Sequence, residues 1–125
     1  MDVETLPSPL KRALEGLPAS LRVPVNTALE RLPADASLPE DGRLLGELPR
    51  VWAASDFAAR VCVRDMAVLR ELQESGDLDR RYTDDGFRSR LHRRLEGVSD
   101  EASFHAALRQ FRNREMLRIA WRDLT

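Results

Sequence analysis

Few side chains in this sequence could do chemistry, and they form no complete set. His92, His105 and Cys62 are the only histidines and the only cysteine. They fall short of the tetrahedral ligand set of a structural zinc site. Cys62 lies between Val61 and Val63 and reads as a small buried apolar residue, not as a nucleophile. Serine, histidine and aspartate all occur, but no spacing singles out a triad, and no Gly-rich loop is present to cradle phosphate. Asp84-Asp85-Gly86 sets two carboxylates side by side in a turn that could hold a divalent ion. The stronger expectation is a turn that caps the helix carrying Phe87. The sequence therefore assigns no catalytic residue and no metal ligand.

Arginine is the remaining candidate. Residues 80–94 hold Arg80, Arg81, Arg88, Arg90, Arg93 and Arg94 against Asp84 and Asp85, a local balance of +4. Residues 109–122 hold Arg109, Arg112, Arg114, Arg118 and Arg122 against Glu115, again +4. Guanidinium groups bind carboxylate and phosphate bidentately. Arg114, Arg118 and Arg122 follow at i,i+4 spacing on one side of the last helix, which makes them candidates for an anion site or a domain interface. Arg118 also stands three residues beyond Glu115. For any single arginine, pairing with Asp or Glu on a neighbouring helix is the commoner outcome. Lys11 is the only lysine, a bias that fits the codon usage of a GC-rich bacterial genome better than a recognition role.

The elements that must position these residues are helical. Hydrophobic residues make up 42% and charged residues 33% of 125 residues, enough for one folded domain and one core. No apolar run approaches the ~18 residues of a membrane span. No signal-like stretch follows Met1. A single cysteine suits a reducing cytoplasm. The net charge of −1 argues against nucleic acid as a partner. All seven prolines lie at or before Pro49, so residues 1–49 should form short helices and turns and residues 50–125 longer helices. Ser8-Pro9 predicts a helix start with Ser8 as cap. A second short helix is expected over about Pro24 to Leu32, then a loop from Pro33 to Gly42 and a further turn at Leu44, Leu45 and Leu48. Pro49 is placed to open a helix through about Arg64, and Asp65 to cap the next, which ends at Gly76. Phe87, Leu91 and Leu95 mark another helix, closed by Gly97. Ser99 should cap a final helix of roughly 25 residues, about 38 Å long. The expected fold is all-α, a bundle of about five to six helices with a long C-terminal helix.

That last helix is unusual. Met116, Leu117, Ile119, Ala120, Trp121 and Leu124 spread almost around its axis, and a helix apolar on most sides is buried on most sides. Few partners for this surface are evident within the chain, so the expectation is a segment of a longer protein, with further structure after Thr125.

Two blocks give this expectation a form. One is Arg50-Val51-Trp52-Ala53-Ala54-Ser55-Asp56-Phe57-Ala58-Ala59-Arg60; the other runs from Leu108 to Leu124 and contains Arg114-Glu115 and Trp121-Arg122-Asp123. With Ser75-Gly76-Asp77-Leu78 between them, they resemble the N-terminal part of the bacterial glutamine synthetase adenylyltransferases, bifunctional enzymes that also remove the adenylyl group. The resemblance covers about Leu44 to Leu124, with local departures at Met66 and Asn113. Trp52, Ser55, Asp56, Phe57, Arg114, Glu115, Trp121, Arg122 and Asp123 are the residues that carry it.

The resemblance implies a longer protein with two nucleotidyltransferase units, one adding AMP to a tyrosine of glutamine synthetase and the other removing it by phosphorolysis. It implies ATP and Mg for that protein, and control by glutamine and the signal-transducing PII protein. The family's Asp-x-Asp metal motif has no counterpart here, so no cofactor is expected in this segment and its role is structural. The partner it implies first is the remainder of its own chain, with the catalytic domain following residue 125. The alternative is an independent helical interaction module.

Overall fold

The computed structural model describes residues 5–125. Among the described residues seven α-helices follow one another: α1 Ser8–Glu15, α2 Ala19–Glu30, α3 Gly42–Ala54, α4 Asp56–Arg64, α5 Met66–Ser75, α6 Gly86–Leu95 and α7 Glu101–Leu124. A 3-10 turn, Asp77–Asp79, links α5 to the segment before α6. No strand occurs among the described residues. The all-α expectation holds, with one or two more helices than the sequence suggested.

The extra helix comes from the region around Pro49. The chain does not wait for Pro49 to start a helix. Asp41 already caps α3, its carboxylate accepting the Arg43 and Leu44 amides at 2.8 and 3.2 Å. Pro49 lies inside α3 and is buried. An interior proline costs about 3 kcal/mol, but this helix buries Leu44, Leu45, Leu48, Val51 and Trp52, and each such side chain contributes about 1.5–3 kcal/mol. Burial wins. The helix then breaks at Ser55, whose extended backbone (φ −135°, ψ 101°) ends α3 and starts α4. Its hydroxyl accepts the Ala58 amide at 3.1 Å.

Three other starts differ from expectation. Pro7, not Ser8, occupies the cap of α1, because its fixed φ of −56° sets the chain in place and its carbonyl already accepts the Lys11 amide. The second helix begins at Ala19, ahead of Pro24, since the Leu21 and Arg22 amides close its first turn on the Pro18 carbonyl. Pro24 sits on the exposed side. At α7 the cap is Asp100, not Ser99: the Asp100 carboxylate accepts the Ser103 amide at 3.2 Å. Hydrogen bonding from Ser103, its side chain first and this amide after it, holds the Asp100 carboxyl below the usual range. Asp65 caps α5 and Gly76 ends it in the left-handed region (φ 80°), as the sequence indicates.

The core gathers Leu10 and Leu14 of α1, Val25 and Leu29 of α2, the apolar face of α3, Ala58 and Cys62 of α4, and Met66, Leu69 and Leu72 of α5. The long last helix closes it with Leu117 and Trp121. These two residues find partners within the chain, contrary to the expectation for the final turns, because α7 packs on α3, α4 and α5. The Trp121 indole N–H reaches Glu47 at 3.4 Å. Only part of the apolar wrap stays open: Met116 and Ile119 are 44% and 49% exposed.

Candidate functional site

The helix end at Gly76 starts the site. Its positive φ reverses the chain, and the following 3-10 turn carries Asp77 into the interior, where it is 4% exposed. A buried carboxylate is costly unless it is paired and hydrogen-bonded. Here it is surrounded. Arg114 donates to Asp77 Oδ2 from Nη2 at 2.6 Å, Arg90 binds both carboxylate oxygens from Nη2 and Nε at 2.8 and 2.9 Å, and Arg80 adds a contact at 3.2 Å.

Arg114 extends the network along α7. Its Nε donates to Glu71 of α5 at 3.0 Å, and its Nη1 donates to Glu115 at 2.6 Å and to the Tyr82 hydroxyl oxygen at 3.2 Å. Tyr82 in turn donates its own proton to Glu115 Oε2 at 2.8 Å. Arg118 completes the set, donating from Nε to Glu115 Oε1 at 3.0 Å and from Nη1 to the Arg80 carbonyl at 2.9 Å. The Tyr82 ring lies between two guanidinium groups, Arg90 at 3.9 Å and Arg118 at 3.8 Å from its centroid. Such cation–π contacts gain strength where water is excluded.

The charges of this cluster answer one another. Asp77 and Glu115 are the buried acids, Arg114 and Arg118 the buried bases. Arg90 holds the Asp77 carboxyl well below the usual carboxylate range, against burial, with Arg114 acting in the same direction. Burial would lower the Arg114 pKa, but the hydrogen bonds to Asp77, Glu71 and Tyr82 outweigh it and raise it. Burial and then Glu115 raise the Tyr82 phenol. Asp77, Arg90 and Arg114 are thus each held in the charged form. The arrangement ties α5, the 3-10 turn, α6 and α7 together.

The other residues singled out from the sequence are placed apart. Trp52 is a core residue of α3, Ser55 caps α4, and Phe57 packs against the core half-buried. Asp56 pairs with Arg60 at 3.0 Å in the open. Trp121 is buried, Arg122 is half-buried with no carboxylate partner among the described residues, and Asp123 is exposed. Cys62 is buried, and burial pushes its thiol up to about 12, the Trp52 side chain pulling the other way. His92 is exposed, and His105 faces Glu101 at 3.5 Å on the surface. Asp85 stands at the start of α6, but its carboxylate accepts no amide there; the turn closes through the Gly86 amide on the Thr83 carbonyl at 2.8 Å, and Arg90 Nη1 donates to the Gly86 carbonyl at 2.9 Å. No group of three or more His, Cys, Asp or Glu among the described residues could hold a metal ion. The acids that come together, Asp77 and Glu115, are saturated by arginine.

Asp77, Tyr82 and Glu71 were not legible as partners of Arg114, nor was Arg90 as a partner of Asp77. A helix-ending glycine followed directly by an acid was the available signal for Asp77. Tyr82, the only tyrosine, had no local pattern to mark it.

The cluster lies within the part of the chain that known proteins share. The family model for glutamate-ammonia ligase adenylyltransferase matches residues 45–125, from α3 to the end of α7. The chain belongs to this family. Among its relatives is the bifunctional glutamine synthetase adenylyltransferase/adenylyl-removing enzyme of Pseudomonas aeruginosa, 49% identical over 81 residues, which are 65% of this chain and 8% of the relative. The protein of the same name from Nitrosococcus oceani is 43% identical over 82 residues, 66% of this chain and 8% of the relative. That of Thioalkalivibrio sulfidiphilus is 36% identical over 121 residues, 94% of this chain and 12% of the relative. The last alignment takes the similarity into the first forty residues, further than the sequence blocks suggested. The chain thus spans about a tenth of the length of these relatives. No solved structure matches it.

Proposed function

We propose that this chain is a supporting segment of a bifunctional glutamine synthetase adenylyltransferase/adenylyl-removing enzyme, and that it contributes position and not chemistry. The match over residues 45–125 supports the reading, because it takes in the whole ion network and the helix that network holds. The longer enzyme would act in the cytoplasm, use ATP and Mg at its own nucleotidyltransferase sites, modify glutamine synthetase and answer to PII. This segment would serve it as a rigid base. Arg114 and Arg118 fix α7 against α5 and the 3-10 turn. The side of α7 so held then presents Arg122, and Met116 and Ile119 stay exposed, as a joint for the remainder of the chain.

A chimera tests this, in which residues 45–125 replace the aligned segment of the Pseudomonas aeruginosa enzyme. In it, Arg122→Glu should lower phosphorolytic removal of AMP from glutamine synthetase. The same substitution in the 125-residue chain should leave its thermal unfolding unchanged, since Arg122 has no ion pair among the described residues. Unchanged phosphorolysis would remove Arg122 from the joint.

A further inference from the structure

Beside the ion network, and bordered by its Glu71 and Arg114, the α4–α5 corner and the N-terminal half of α7 line a trough of about 590 Å³, a volume within the range of ligand sites. Its floor is apolar, formed by Val61, Val68 and Ala106, and its rim carries Arg64, Arg94 and Arg109. At Glu71, Arg94 and Arg114 it meets a second recess of about 530 Å³, where Arg93 joins the rim. Both carboxylates facing the first trough have work inside the fold. Asp65 accepts the Ala67 amide at the start of α5. Glu71 takes Arg114 at 3.0 Å and lies 4.0 Å from Arg94. Arg64, Arg93 and Arg109 meet no carboxylate among the described residues. Against a net charge of −1 for the whole chain, the first trough is lined by four arginines and two acids, a local balance of +2.

We propose that the trough binds an acidic peptide segment, one apolar side chain resting on the Val61–Val68–Ala106 floor and flanking carboxylates paired to Arg64, Arg94 and Arg109. Two features select this occupant. Unanswered guanidinium groups call for carboxylates, which they bind bidentately. The two recesses share Arg94 as a lining residue, so their arginines can take several carboxylates spaced along one peptide chain, which a compact anion does not offer. The inference rests on the trough alone and stands apart from the role proposed above.

Fluorescence anisotropy of a labelled synthetic peptide, glutamates around one leucine, measures it on the 125-residue chain. Binding should saturate, weaken as salt is added, and vanish when glutamine replaces each glutamate. Arg64→Glu with Arg109→Glu should weaken it by on the order of tenfold, with the circular dichroism of the helices unchanged. Arg109→Gln, which keeps a good helix former in α7, should weaken it less and guards against misfolding of the double variant. No saturable binding, equal binding of the glutamine peptide, or indifference to both variants would overturn the proposal. Saturable binding of inorganic phosphate without binding of the peptide would overturn it in favour of a small-anion site.

Discussion

Arg114 places its guanidinium against Asp77, Glu71 and Glu115 at once, and the cost of disturbing it follows from that. Removing one partner of a buried ion pair strands the other, a loss of about 3–5 kcal/mol. Arg114→Met should therefore lower the unfolding free energy by about that amount in a urea titration, and Asp77→Asn by a similar amount. Tyr82→Phe should cost only about 1 kcal/mol, because it removes one hydroxyl and keeps the ring between Arg90 and Arg118. A Tyr82→Phe loss as large as that of Arg114→Met would show that the phenol, and not the guanidinium, is the hub. At this scale the sequence exposed only what is local. Glu115 and Arg118 are three residues apart on one helix and were visible as a pair. Asp77 lies thirty-seven residues before Arg114, and no spacing rule reaches across that distance.

Caps and breaks decide how the elements meet. Ser55 turns one stretch of helix-forming sequence into two helices, and Ser55→Ala should cost about 1 kcal/mol through the lost bond to the Ala58 amide. A thermal melt would read this as a lower midpoint; an unchanged midpoint would mean that packing alone sets the break. Gly76 is the other pivot. With φ at 80°, a side chain there strains the backbone by about 1–2 kcal/mol, and the strain falls where Asp77 enters the network. Element types were legible because apolar residues recur at helical spacing and because Asp65, Gly76 and Gly97 sit where helices begin or end. Element starts were less so. Pro49 looks like a first-turn residue, and only the burial of Leu44, Leu45 and Leu48 ahead of it makes the earlier start at Gly42 worthwhile.

For the molecule as a whole, the all-α class followed from periodicity and from the crowding of proline into the first half. The docking of α7 did not, since its apolar wrap gives no direction and the groove that receives Leu117 and Trp121 exists only after α3, α4 and α5 have packed. Acid should act on this assembly through Asp77. Its folded pKa lies below its unfolded value, so its contribution is present in full above about pH 4 and is lost as the pH falls through the folded pKa. Urea midpoints should thus drop on acidification below about pH 4, and less steeply in Asp77→Asn. Parallel slopes in the two proteins would place the acid sensitivity elsewhere. The reading of the chain as a base for a larger enzyme is tested most directly by the chimera itself. With residues 45–125 in place of the aligned segment, the Pseudomonas aeruginosa enzyme should still add AMP to glutamine synthetase and remove it, while the 125-residue chain alone does neither. A chimera that folds but has lost both activities, or an isolated chain that transfers AMP, would contradict it.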